Sequence, residues 1–147
     1  MRRRQTNPRQ WLIVRGAEDR EGLAAALRQP RSSGVLLLAP IKGNQVRKLR
    51  LRGLVIIAEG RRGAARVHNI RELRRAAIAR TPLILLSPLY PTTSHPGWKP
   101  IPGMRAAALA RLGRRKLFAL GGMDARKFAR IRRLGFQGWA GISVFRT

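Results

Sequence analysis

Short uninterrupted apolar runs alternate with longer amphipathic stretches along this chain. Such runs fall at 11–14, 34–39, 54–57, 83–86, 117–120 and 138–143, with a weaker one at 65–68 that Arg66 interrupts, and Pro40 closes the second. A run of four to six apolar residues without polar alternation predicts a strand covered on both faces, the pattern of parallel sheets. The stretches between them predict helices. Residues 18–28 carry Leu23, Ala24, Ala26 and Leu27 behind an acidic start, and 45–52 read as a short basic helix. Asn69 with Glu72 is a capping-box pattern opening a helix to about residue 79. A loop rich in proline and glycine then precedes a helix over 104–114. Asp124 is a good N-cap for a last helix, with Phe128, Ile131 and Leu134 on one side and Gly135 at its end. Buried strands alternating with amphipathic helices predict an α/β parallel barrel or sheet. Seven strands are counted, because 58–64 leave room for a loop but not for a further helix and strand.

The 147 residues, 44% of them hydrophobic, suffice for one domain with a real core. They are few for an eight-stranded barrel, which takes roughly 200 or more. Residues 1–10, polar and basic with Pro8, are expected to form a flexible arm, and 11–147 a single domain. The absence of cysteine excludes disulfides and thiolate metal sites. No apolar stretch approaches the ~20 residues of a membrane span. The Met1-Arg2-Arg3-Arg4 start is followed by too short an apolar run for a signal peptide, so a soluble, cytoplasmic protein is expected.

Charge changes the picture. Lysine and arginine number 32 against 6 acidic residues, a formal +26, and 27 of the cations are arginine. Such a surface attracts polyanions without specificity. The cations are spread between apolar helical positions rather than blocked into a tail, and aromatics reach only 5%, leaving few stacking platforms for single strands. The pattern therefore favours small phosphorylated ligands over dedicated nucleic-acid recognition.

The chemistry is concentrated at strand ends. Ser87-Pro88-Leu89-Tyr90-Pro91-Thr92-Thr93-Ser94-His95-Pro96-Gly97 follows one strand, Gly121-Gly122 the next, and Ser143 ends the last. Glycine lets backbone amides approach an oxyanion and hydroxyls donate to it. In a (β/α) barrel such a phosphate site recurs after the last two strands. Each piece also has a plainer reading: Gly-Gly serves any strand-to-helix turn, a Pro-rich loop with hydroxyls is a common surface turn, and a strand-end histidine is often structural.

These pieces together resemble the thiamine phosphate synthase and thiazole tautomerase family. Its signatures run roughly G-P-(V/I)-F-x-T-x-T-K, then G-G-I, then A-G-A-D-G-V-A-V-x-S. Here they are matched by the Ser87–Gly97 segment, by Ala119-Leu120-Gly121-Gly122-Met123 and by Leu134-Gly135-Phe136-Gln137-Gly138-Trp139-Ala140-Gly141-Ile142-Ser143. Val67-His68-Asn69-Ile70-Arg71-Glu72 is similar to the family's S-x-H-N-x-x-E. The resemblance is dense from about residue 65 onward and thin before it. It implies a shortened TIM-type (β/α) barrel, with seven strands and one βα unit lost.

The resemblance also implies roles. Thr92, Ser94, Gly121, Gly122 and Ser143 match positions that hold phosphate. His95 stands where the family has the lysine that neutralises pyrophosphate, and histidine is only partly charged near neutrality. His68 matches a proton-transfer residue of the tautomerase branch. Lys42, in Ala39-Pro40-Ile41-Lys42-Gly43, is the one cation where the family has Gln-x-Arg-x-Lys. Glu59 stands beside a family Mg²⁺ position, and the second acidic ligand belongs to the lost unit. The implied activity joins a hydroxymethylpyrimidine pyrophosphate to a thiazole phosphate with release of pyrophosphate. A metal-independent thiazole tautomerase-like isomerase, or an inactive phosphate-binding and possibly RNA-associated barrel, are the alternatives.

Overall fold

The computed structural model describes residues 8–60, 62–93, 95–114 and 116–142. Seven strands form one parallel sheet: β1 (Gln10–Val14), β2 (Gly34–Leu37), β3 (Val55–Ala58), β4 (Ala64–Val67), β5 (Leu83–Leu86), β6 (Leu117–Ala119) and β7 (Gly138–Gly141). Their order is β3-β2-β1-β7-β6-β5-β4, and β3 and β4 at the two ends approach each other. A single parallel bridge, Glu59 to Ala64, joins them, and the Gly60 N–H donates to the Ala64 carbonyl at 3.0 Å. The sheet is thus a nearly closed TIM-like barrel, with the seven strands that the spacing of apolar runs predicts and the closure that the resemblance implies.

Five helices follow five of the strands: α1 (Arg20–Leu27), α2 (Gly43–Leu51), α3 (Ile70–Ile78), α4 (Gly103–Leu112) and α5 (Ala125–Ile131), the last extended by a 3-10 turn over Arg132–Leu134. None separates β3 from β4. Asp19, Asn69 and Asp124 cap α1, α3 and α5, each side chain accepting a backbone N–H of the first turn. The second helix starts at Gly43, earlier than its basic stretch suggests, because Gln45 acts as a capping residue and accepts the Lys42 N–H at 2.8 Å.

Alternation along the strands divides the core in two. Trp11, Ile13, Leu36, Ala64, Leu83, Leu85, Phe118 and Ala140 fill the barrel, with Trp11 and Phe118 edge to face at 6.4 Å. The opposite faces pack against the helices, Leu12, Val14, Val35 and Leu37 on one side and Leu86, Leu117, Ala119 and Trp139 on the other. The third strand departs from expectation. Its sequence reads as fully buried, yet Val55 is 38% exposed, since no helix follows β3 to cover its outer face.

Residues 8–10, read from sequence as the end of an arm, are already tied to the barrel. Gln10 belongs to β1, the Pro8 carbonyl accepts the Trp11 indole N–H at 3.0 Å, and the Arg9 carbonyl accepts the Trp139 N–H at 2.8 Å. The rest of the expected arm, residues 1–7, lies outside the described residues. No helix among the described residues is long and apolar enough to cross a membrane.

Candidate active site

All seven strands run parallel, so their C-terminal ends open onto one mouth, where a cavity of about 410 Å³ lies. Residues that chain order keeps far apart meet there. Arg66 and His68 come from the end of β4, Ser87 and Pro88 from β5, Gly121 and Gly122 from β6, and Gly141 and Ile142 from β7.

His68 is held from two sides. Its backbone N–H donates to Glu72 Oε2 at 2.9 Å, and its ring Nδ1 lies 2.8 Å from the Ser87 carbonyl oxygen. A carbonyl only accepts, so Nδ1 carries the hydrogen and the neutral ring keeps its lone pair on Nε2. The Ser87 hydroxyl oxygen lies 3.2 Å from the same Nδ1, and Ser87 is buried. An imidazole held in this tautomer can accept a proton.

Gly121 and Gly122 form a neighbouring wall, against the Pro88 turn after β5. Leu89 N–H donates to the Leu120 carbonyl at 3.0 Å and Tyr90 N–H to the Gly121 carbonyl at 3.2 Å, which fastens the loop after β5 to the loop after β6. The amides of Gly121, Gly122 and Met123 meet no hydrogen-bond acceptor among the described residues. Lys127 places its ammonium 2.8 Å from the Gly122 carbonyl and 5.1 Å from the centre of the Tyr90 ring. Amide donors with a neighbouring ammonium suit an oxyanion.

Thr92 and His95 line the cavity as well, whereas Ser94 and Ser143 lie outside the described residues. Lys42 does not line it. It stands exposed before α2, its backbone carbonyl accepting the N–H of Gln45 and Val46. Glu59 does not line the cavity either; both of its oxygens accept from the Arg66 guanidinium, Nε at 3.0 Å and Nη2 at 3.1 Å.

The Mg²⁺ that the resemblance implies is not matched by this donor set. All six carboxylates of the chain fall among the described residues, and no three histidine, aspartate or glutamate side chains gather there as a metal group. Asp124 alone of the carboxylates lines the cavity, and its Oδ1 accepts the Lys127 N–H as a helix cap.

Three contributors escape sequence reasoning. Lys127 is signalled only by its place three residues after the Asp124 cap. Arg66 reads as a mere departure from a family serine. Trp98, 46% exposed in the loop after β5, packs edge-on against His68 at 5.3 Å and lies 4.0 Å from the His95 ring at a 37° tilt. Its signal was a tryptophan in a loop of proline and glycine, where no core can hide it.

The family model for thiamine monophosphate synthase matches residues 56–145. No curated protein sequence matches the chain significantly. Among solved structures, the thiamine phosphate pyrophosphorylase from Pyrococcus furiosus superposes with a TM-score of 0.70 at 12% identity, over 97% of this chain and 90% of that one. The structure described as native KDPGal superposes with a TM-score of 0.54 at 14% identity, over 94% of this chain and 84% of that one. At such identities the two likenesses speak for the barrel, while the family match covers the part of the chain that builds most of the site.

Proposed function

The chain belongs to the thiamine monophosphate synthase family, a family of transferases of thiamine biosynthesis, and from that premise we propose that it joins a hydroxymethylpyrimidine pyrophosphate to a thiazole phosphate. The methylene carbon of the pyrimidine loses its bond to the diphosphate oxygen, which leaves with the electron pair as pyrophosphate, and the thiazole nitrogen supplies the new bond. Such a reaction asks the protein for positioning and charge stabilisation more than for covalent chemistry. The observation that carries the reading is the pairing of unaccepted Gly121 and Gly122 amides with the Lys127 ammonium on the same wall. They support a seat for the thiazole phosphate, with Thr92, Ser94 and Ser143 as its hydroxyl donors and His95 beside the leaving pyrophosphate.

A second reading, a tautomerase-like isomerase acting on the thiazole phosphate, is favoured by the tautomer of His68, whose Nε2 can accept and return a proton. One experiment separates the two. Incubation with both phosphorylated precursors is expected to yield thiamine phosphate and pyrophosphate in equal amounts. Isomerisation of the thiazole phosphate alone, reduced by ~10²-fold or more in His68→Ala, decides for the isomerase. Absence of both turnovers in protein that still binds thiazole phosphate leaves an inactive phosphate-binding barrel.

The charge predicts a side activity. Attraction to RNA by dispersed arginines releases counterions, so affinity is expected to fall steeply between low and physiological salt and to ignore sequence. Tight, sequence-selective binding at physiological salt, read by fluorescence anisotropy, defeats this reading and points to a recognition module.

A further inference from the structure

The carboxylate expected to hold a metal is engaged by a cation of the protein itself. Glu59 and Arg66 form a two-bond fork across the β3–β4 seam, next to the bridge that closes the barrel. The fork uses two of the five N–H groups of the guanidinium and leaves three. Arg66 lines the cavity with its side chain 37% exposed, whereas Glu59, at 31%, does not line it. The remaining carboxylates offer no replacement. Glu72 accepts the His68 backbone N–H and the Asn69 side-chain amide, Asp124 caps α5, and the other three stand at the start of α1.

We propose that this site captures a phosphate or diphosphate group without a divalent cation, with Arg66 taking the place of the metal and Glu59 acting as its positioning residue. A metal bridge neutralises phosphate oxygens where a protein presents carboxylates to carry the ion. Here the cavity presents Arg66 and Lys127, and its one carboxylate, Asp124, is engaged as the cap of α5, on a chain of net charge +26. A guanidinium fork matches the geometry of phosphate oxygens directly. The inference rests on the reading that the mouth takes phosphorylated ligands, and it adds which cation meets them.

The two assignments of Glu59 predict opposite signs. As a metal ligand, its loss weakens diphosphate binding. As the partner of Arg66, its neutralisation strengthens it, because Glu59→Gln keeps an amide oxygen to orient the guanidinium and removes the competing charge. Calorimetric titration of the full chain with inorganic pyrophosphate, in EDTA and in Mg²⁺, reads the difference. Binding is expected in EDTA, weakened roughly tenfold or more in Arg66→Gln and tightened about two- to fivefold in Glu59→Gln. Binding that appears only with Mg²⁺ and vanishes in Glu59→Gln overturns the proposal, and so does unchanged affinity in Arg66→Gln. Titration with thiazole phosphate runs in parallel. If it binds while pyrophosphate does not, the metal-free capture fails alone; if neither binds, the proposed function fails with it.

Discussion

Gly63→Ala is expected to destabilise the protein by roughly 3 kcal/mol or more, a very large effect for one methyl group. A Cβ at this position would sit 1.8 Å from the Ala58 carbonyl oxygen and 3.3 Å from Ile57 Cγ2. The nearest obstacle is backbone, so no side-chain rotation relieves it. Gly63 also donates to the Gly60 carbonyl at 3.1 Å and accepts the Leu83 N–H at 3.2 Å, so any retreat strains both neighbours. Those groups flank the Glu59–Ala64 bridge, which closes the ring between β3 and β4. Gly43→Ala is the control: no atom lies within 4 Å of its added carbon and it opens α2, so stability should stay within about 0.5 kcal/mol of the parent. Urea unfolding of both variants provides the measurement. An unchanged midpoint for Gly63→Ala would mean that the strands do not pack together at this seam as described.

The seam also shows what the sequence could and could not carry. Seven apolar runs give seven strands, and the shortness of 58–64 rules out an intervening helix, so the direct passage from β3 to β4 is legible from spacing, while the family resemblance reads it as a lost βα unit. How the gap closes is not. Closure depends on a glycine that lets two backbones approach and on one bridge between residues five apart, and no periodicity encodes either. The same gap explains β3. Its Val-Ile-Ile-Ala composition reports strand propensity, whereas its exposure follows from the helix that is not there to cover it.

The site divides along similar lines. Gly121, Gly122, Thr92, His95 and His68 stood out because each occupies a strand end within a recognisable motif, and the structure brings all five to one cavity. Lys42 and Glu59 rest on resemblance to family positions in the thinly matched first half, and neither lines it. Arg66 and Lys127 were hidden among 32 cations, where composition offers no reason to prefer one over another. Only tertiary neighbours, a carboxylate in one case and a carbonyl with an aromatic face in the other, separate them from the rest.

Gly122→Ala should disable ligand binding and weaken the fold together. Gly122 has φ +58, a left-handed conformation that costs alanine about 1 kcal/mol. Its added Cβ would lie 2.3 Å from the Pro91 carbonyl oxygen and 3.2 Å from Tyr90 Cβ. The strain and the clash together predict a loss of roughly 2–3 kcal/mol. Relief requires the Pro91 segment to move, and Thr92 and Thr93, which line the cavity, move with it. The Gly122 carbonyl that holds Lys127 shifts as well, so the amides and the ammonium lose their common focus. Thiazole phosphate should then raise the melting temperature of the parent but not of Gly122→Ala, with affinity down tenfold or more, on the order of two charge-assisted hydrogen bonds. Gly97→Ala lies in the same loop with nothing within 4 Å of the new carbon, and it should behave as the parent in both respects. If Gly122→Ala were folded and still stabilised by thiazole phosphate as the parent is, the phosphate seat would lie elsewhere on the barrel, and the amides after β6 would be a turn and nothing more.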